Sequence, residues 1–117
     1  MIEKMLPTLL IVAVVLVAAY FMFLKGGDVS GAEARQLVQA GARLVDVRTP
    51  GEFAAGHIEG AINIPVQALE ARMNELKPKD RAVVVYCRSG HRSGNAARML
   101  KSAGFPAVHD LGPMSRW

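Results

Sequence analysis

The sequence has few residues that could cross-link a fold, with one cysteine and three histidines among its 117 residues. A single cysteine cannot form an internal disulfide. The histidines, His57, His91 and His109, lack the short spacing at which paired ligands bind zinc. These shortages exclude a disulfide scaffold and a structural zinc site, and we expect no metal.

Charge is absent from Met5 to Leu24, where 18 of the 20 residues are apolar. Twenty helical residues extend about 30 Å, which matches the hydrocarbon thickness of a bilayer. We therefore predict an N-terminal transmembrane anchor over residues 1–25, a short linker over 26–29 and one domain over 30–117. The lipid bilayer is the expected partner of residues 5–24.

A cleaved signal peptide over residues 1–19 is the alternative to this anchor. Cleavage would leave the apolar stretch from Tyr20 to Leu24 exposed at the new terminus, which favours the uncleaved anchor. Lysine and arginine are slightly more frequent after the segment than before it, so the domain is expected on the cytoplasmic face of a bacterial inner membrane. A signal peptide would place it in the periplasm.

Charge is unevenly divided along the rest of the chain. Residues 26–80 hold six basic and eight acidic side chains, whereas residues 81–117 hold six basic side chains and one acidic residue, Asp110. A positive field of this kind attracts small anions, acidic lipid or nucleic acid. No motif that reads nucleic acid is present, so nucleic acid is not expected as a partner.

Short apolar strands alternate with helices after the linker. A Ser30 to Glu33 capping box predicts a helix over about 31–40. Further strands are predicted at 44–47, 62–64, 82–86 and from 107, and further helices at 66–77 and 93–103. This order predicts an α/β fold with a mostly parallel sheet flanked by helices. Ligands of such sheets bind at the carboxyl ends of the strands.

The only cysteine follows the most apolar strand. The loop after this strand and the start of the next helix comprise Cys87, Arg88, Ser89, Gly90, His91, Arg92 and Ser93. Backbone N–H groups in such a turn point inward, and the positive end of a helix dipole reinforces their attraction for anions. Cys87 is therefore interpreted as a nucleophile, with Arg88 and Arg92 as anion contacts.

Two segments carry a resemblance to a known family. The stretch from Leu44 to Pro65, followed by the stretch from Val83 to Ser93, resembles the single-domain rhodanese-type sulfurtransferases. The resemblance implies a five-stranded, mostly parallel sheet, with Cys87 as the sulfur carrier and the backbone of residues 88–92 as its cradle. Arg88, Ser89, Gly90, His91 and Arg92 are thus the predicted substrate-binding residues.

Other positions match the family pattern without belonging to the loop. Asp46 and Arg48 match its Asp-x-Arg motif, and together with Ser93 they are predicted to support the site structurally. The chain departs from the pattern at Gly112-Pro113, where the family commonly has two glycines. The family pattern therefore does not determine the shape of the pocket wall in this chain.

The resemblance implies transfer of sulfane sulfur from thiosulfate or a related persulfide donor to a thiol or cyanide, without a cofactor. A membrane-anchored binding or sulfur-carrier module is the alternative. A phosphatase or arsenate reductase is disfavoured because those enzymes have C-x5-R, whereas Cys87 and Arg92 form C-x4-R. The sequence leaves the oligomeric state open.

Overall fold

A computed structural model describes residues 2–24 and 27–117 of the chain, with side chains for residues 7–18 and 27–117. Its first helix is α1 (Ile2–Leu24), which contains Pro7. The large apolar side chains described on α1, from Leu9 to Val17, are each at least half exposed.

The described residues include no helix that is long and apolar enough to cross a membrane. The structure therefore does not support the transmembrane anchor predicted over residues 1–25. Both ends of the predicted segment lie outside the residues whose side chains are described.

Four parallel strands form the sheet in the described part of the chain. They are β1 (Arg43–Asp46), β2 (Ile62–Asn63), β3 (Val83–Cys87) and β4 (Val108–Pro113), in the order β2-β1-β3-β4. The predicted parallel α/β sheet is confirmed, although the resemblance implied a fifth strand that these residues do not contain. Strand β3 lies between two partners and is buried along its whole length.

The remaining helices are α2 (Gly31–Gln39), α3 (Pro50–Ala55), α4 (Leu69–Arg72) and α5 (His91–Ser102). The capping box that starts α2 is formed, since Glu33 N donates to Ser30 Oγ at 3.1 Å and Ser30 N donates to Glu33 Oε1 at 3.2 Å. The sequence analysis predicts no helix between the strands at 44–47 and 62–64, where α3 lies. A second capping box, between Thr49 and Glu52, starts it.

The single helix predicted over 66–77 is wrong. The segment instead consists of α4 between two 3₁₀ turns, Val66–Ala68 and Met73–Leu76. A segment this short gains little from helical propensity alone. Burial of Leu69 and Leu76 in the core therefore determines its shape.

Alternate residues of β3 face opposite sides of the sheet. Val83, Val85 and Cys87 belong to the core cluster that includes residues of α4 and α5. Val84 and Tyr86 belong to the other cluster, which includes residues of α2. This alternation follows from the two-residue period of a strand, and it directs the Cys87 side chain toward α5.

A buried ion pair holds the turn between β1 and α3. Arg48 donates to the Asp46 carboxylate from Nε at 3.0 Å and from Nη2 at 2.7 Å, and Arg48 N donates to Asp46 Oδ1 at 2.9 Å. Arg48 Nη2 also donates to Gly56 O at 2.7 Å. Asn63 Nδ2 donates to the carbonyl oxygens of Asp46 and Arg48, both at 3.0 Å. These bonds satisfy the polar groups of the turn where water is excluded.

This arrangement predicts a large stability cost for Arg48→Ala. The change leaves the fully buried Asp46 carboxylate without its cation, so the free energy of unfolding should fall by about 3 kcal/mol or more. Urea unfolding of the purified chain measures this cost. The control is Arg72→Ala, which breaks an exposed pair with Glu75 and should cost much less, because solvent screens exposed pairs. Equal costs for the two variants would contradict the prediction.

Candidate active site

Cys87 is the last residue of β3 and its side chain is fully buried. Two backbone groups donate to its sulfur: Gly90 N at 2.9 Å and Ser93 N at 3.4 Å. The thiol itself donates to Ser93 Oγ at 3.4 Å. Because these donors lie at the start of α5, their attraction for a negative sulfur adds to that of the helix dipole.

Gly90 gives the loop its curvature. It precedes α5 with φ of 96°, a left-handed conformation that residues with a Cβ adopt only under strain. This conformation directs the Gly90 N–H toward the sulfur. Helix α5 therefore starts at His91, two residues before the predicted start at Ser93, because Gly90 ends the loop earlier than the sequence pattern indicated.

The structure brings only part of the predicted site into contact with the sulfur. Gly90 and Ser93 contact it, whereas Arg88, Ser89 and His91 are exposed at the surface of the loop. Asp46 and Arg48 lie at the end of the neighbouring strand, paired with one another. Their roles toward a substrate stay predictions.

Arg92 contacts a partner that the sequence analysis did not assign to it. Its Nη1 donates to Glu52 Oε1 at 2.7 Å and its Nη2 donates to Glu52 Oε2 at 3.0 Å. The hydrogen bonds from Arg92, followed by one from the Thr49 backbone, lower the pKa of Glu52 to about 2. The pair joins α3 to α5, so in this structure Arg92 is committed to a carboxylate of the protein. The capping box at Thr49 was the sequence signal that could have located Glu52.

Asp110 is a residue to which the sequence analysis assigned no role in the site. It lies in β4, is only 7% exposed and accepts a hydrogen bond from Gly112 N at 2.8 Å. Burial raises its pKa, and a hydrogen bond with the Ser93 side chain opposes that rise. The available signal was that Asp110 is the only acidic residue in the basic last third of the chain.

Gly112 and Pro113 form the end of β4. They are aligned with Tyr86 and Cys87 of β3, after an irregularity in the pairing at Val85/Tyr86. The position at which this chain has Gly112-Pro113, and the family commonly two glycines, is therefore next to Cys87 on the neighbouring strand. In the described part of the chain, no group of three histidine, cysteine, aspartate or glutamate side chains is arranged to hold a metal ion.

A parallel α/β domain with a cysteine in an N–H-lined loop at the end of its central strand defines a class of α/β proteins with a buried cysteine before a helix. Within that class, the model of the rhodanese-like domain matches residues 30–117. The chain belongs to the rhodanese-like domain family.

Several relatives in this family are named as sulfurtransferases. A "Sulfurtransferase" of Allochromatium vinosum is 48% identical over 68 residues, which cover 58% of this chain and 63% of that protein. "Thiosulfate sulfurtransferase PspE" of Escherichia coli is 37% identical over 76 residues, which cover 64% and 73% of the two chains. The chain thus spans less than two thirds of the length of the Allochromatium protein.

A solved structure supports the same fold. The structure titled "Human Single Domain Sulfurtranferase TSTD1" aligns with a TM-score of 0.64 at 34% identity, covering 76% of this chain and 89% of that one. The alignment is consistent with one rhodanese-like α/β unit after α1.

The Glu52–Arg92 pair predicts an acid-dependent contribution to stability. The pKa of Glu52 is about 2 in the fold against an ordinary value of 4.5, so the contribution is fully present above pH 4.5 and is lost as the pH falls toward 2. Glu52→Gln should therefore lower Tm at pH 6 but match the original chain near pH 2.

Thermal unfolding across this pH range measures the effect, and Glu59→Gln is the control. Glu59 is exposed and takes part in no ion pair among the described residues. A Tm difference for Glu52→Gln that persists unchanged at pH 2 would show that the pair does not cause it.

Proposed function

We propose that the protein is a sulfurtransferase that carries sulfane sulfur as a persulfide on Cys87. The observation that supports this most directly is the pair of N–H groups, from Gly90 and Ser93, that donate to the Cys87 sulfur. Donors placed in advance around a negative sulfur stabilise it as an oxyanion hole stabilises oxygen. The names of the relatives from Allochromatium and Escherichia support the same reaction class.

Thiosulfate is the proposed donor, or a related persulfide. The Cys87 thiolate attacks the outer sulfur of thiosulfate and forms a new S–S bond. The original S–S bond breaks, and sulfite leaves with the electron pair. The product is a Cys87 persulfide, whose negative charge lies within reach of the loop N–H groups and the positive end of α5.

An acceptor thiolate or cyanide then completes the reaction. It attacks the outer sulfur of the persulfide, and Cys87 leaves as a thiolate, ready for the next donor. Each half-reaction exchanges one bond to sulfur for another, so neither half requires an oxidant or a cofactor. A covalent intermediate of this kind predicts ping-pong kinetics.

Arg88 is the cation best placed to attract the donor. Its side chain is exposed on the loop, and no hydrogen bond or ion pair involves it among the described residues. Arg92, by contrast, is held by Glu52. We propose that Arg88 attracts the divalent donor while Arg92 stiffens the loop, with Ser89 and His91 supplying further hydrogen bonds at the surface.

The proposed function predicts that Cys87→Ser loses thiosulfate:cyanide sulfur transfer down to the background rate. Serine is nearly isosteric, so the change removes the nucleophile and should leave thermal unfolding close to that of the original chain. Arg72→Ala, remote from the loop, should retain activity and serves as the control.

Three outcomes would count against the proposal. Sulfur transfer surviving in Cys87→Ser would exclude Cys87 as the carrier. Hydrolysis of an aryl phosphate by the original chain, without sulfur transfer, would favour the phosphatase alternative. A persulfide on Cys87 in the intact protein from cells, without thiosulfate turnover, would instead favour the sulfur-carrier module.

We also propose that residues 5–24 hold the chain at a lipid bilayer. The proposal rests on the uncharged sequence of this segment and on the exposure of the apolar side chains from Leu9 to Val17. Exposed apolar side chains are stabilised by transfer into lipid. A bacterial inner membrane with the domain on its cytoplasmic face is the proposed location.

Attachment to a membrane through residues 5–24 predicts that the full-length chain stays in the membrane fraction after a carbonate wash. Intact-mass measurement of the washed fraction checks that the N-terminus is retained. A soluble product that begins near Tyr20 would show a signal peptide and place the domain in the periplasm. A soluble product of full length would overturn membrane attachment.

A further inference from the structure

Glu52 occupies the face of Arg92 that a substrate oxyanion could bind. Arg92 Nη1 donates to Glu52 Oε1 at 2.7 Å, and Arg92 Nη2 donates to Glu52 Oε2 at 3.0 Å. Arginine binds external carboxylates and phosphates through the same paired hydrogen bonds. A donor anion that used this guanidinium would therefore have to displace Glu52.

Thr49 holds the Glu52 carboxylate in place from the start of α3. Thr49 N donates to Glu52 Oε1 at 3.2 Å, and Thr49 Oγ1 donates to the same oxygen at 3.1 Å. The hydrogen bonds from Arg92, followed by one from the Thr49 backbone, lower the pKa of Glu52 to about 2, so the carboxylate is charged at neutral pH. Its position and its charge are thus fixed before a donor arrives.

Arg92 belongs to the junction that holds the sulfur. It lies in the sequence between Gly90 and Ser93, whose N–H groups donate to Cys87 Sγ at 2.9 and 3.4 Å. The side chains of Glu52 and Arg92 are each 27% exposed, so a donor that approaches the loop meets both charges. Opposite charges held this close largely cancel at longer range. The pair therefore adds little attraction for an anion.

Arg88 is the cation of the loop that remains for the donor. It is exposed, and no ion pair among the described residues involves it. Arg48, after the neighbouring strand, is bound by Asp46. The loop thus offers a donor one uncompensated guanidinium.

We propose that Glu52 is a specificity-determining residue, which neutralises Arg92 and so makes the site favour sulfur donors with one negative charge over donors with two. Arg88 balances the single charge of a persulfide donor. The second charge of thiosulfate finds no free cation in the loop and is repelled by Glu52. This selectivity rests on the proposed function and narrows its choice of donor, with a singly charged persulfide preferred and thiosulfate the weaker donor.

Two donors that differ by one charge make the test direct. Thiosulfate carries two negative charges, and methanethiosulfonate, in which a methyl group replaces one oxygen, carries one. With either donor the Cys87 thiolate attacks the outer sulfur, the S–S bond breaks, and sulfite or methanesulfinate leaves with the electron pair. In ping-pong kinetics kcat/KM for the donor reports this half-reaction alone. The ratio of kcat/KM for thiosulfate to that for methanethiosulfonate therefore measures the charge preference.

The deciding variant is Glu52→Gln, whose amide oxygen can still accept from Arg92 but no longer cancels its charge. We expect the ratio to rise by about fivefold, the effect of one partly exposed charge. The matched control is Glu59→Gln, which removes an exposed carboxylate outside the ion pairs of the described residues and should leave the ratio unchanged. An unchanged ratio in Glu52→Gln, or an equal rise in Glu59→Gln, would overturn the proposal.

A second pair of variants separates neutralisation from support of the loop. Arg92→Gln alone leaves the Glu52 charge uncompensated, so the ratio should fall below that of the original chain. When Arg92→Gln is combined with Glu52→Gln, both charges are gone, and the ratio should return to within about twofold of the original. If the pair only supports the loop, kcat/KM will fall for both donors together and the ratio will stay constant, which would overturn the proposal.

Anion binding to the original chain tests the selectivity without sulfur transfer and without a variant that could fail to fold. Sulfate and methanesulfonate also differ by one charge, and each is titrated into the ¹⁵N-labelled full-length chain while the amide signals of Gly90 and Ser93 are followed. Sulfate should bind less than about fivefold more tightly than methanesulfonate, because one free guanidinium attracts both. A larger preference for sulfate would overturn the proposal. Loss of sulfur transfer in Cys87→Ser tests the proposed function separately, so either result can fail while the other holds.

Discussion

Two backbone N–H groups directed at one buried sulfur are the constraint on which the rest of the site depends. Gly90 and Ser93 supply them, and both can do so only if β3 ends at Cys87 and α5 begins four residues later. The buried apolar strand fixes the first position, and the left-handed Gly90 fixes the second. The reactive geometry is thus a property of the backbone, which the core on both faces of the sheet holds rigid.

Two ion pairs mainly connect neighbouring elements of the fold. Asp46 and Arg48 tie together the turn after β1, and Glu52 and Arg92 connect the following helix α3 to α5. The two pairs differ in burial, because the first is almost completely enclosed whereas each member of the second is about a quarter exposed. Removing one partner of the first pair leaves an unpaired charge inside the protein, which is strongly destabilising. The second pair contributes less to stability, because solvent screens its charges.

Local patterns in the sequence located the sheet and the loop that follows Cys87, but not the long-range polar contacts. Val83 to Tyr86 form an unbroken apolar run, and such a run followed by glycines and a helix indicates a buried strand and a loop. Glu52 and Arg92 are 40 positions apart, and nothing in either local pattern shows that they meet. The short helix α3 was missed for a related reason, since proline and glycine can indicate a turn or, after a capping threonine, the first turn of a helix.

The basic last third of the chain illustrates why net charge is a poor guide to a binding site. Of its six basic residues, five have partners within the protein: Arg81, Arg92, Arg98, Lys101 and Arg116. Arg88 is the exception among the described residues, and it is exposed on the loop that holds the thiol. The single acidic residue of the same region, Asp110, is buried in β4 and shares a cavity with Gly90 and His91 of that loop. The partners of each cation, and not the regional sum of charges, therefore show which side chain is left exposed for a small anion.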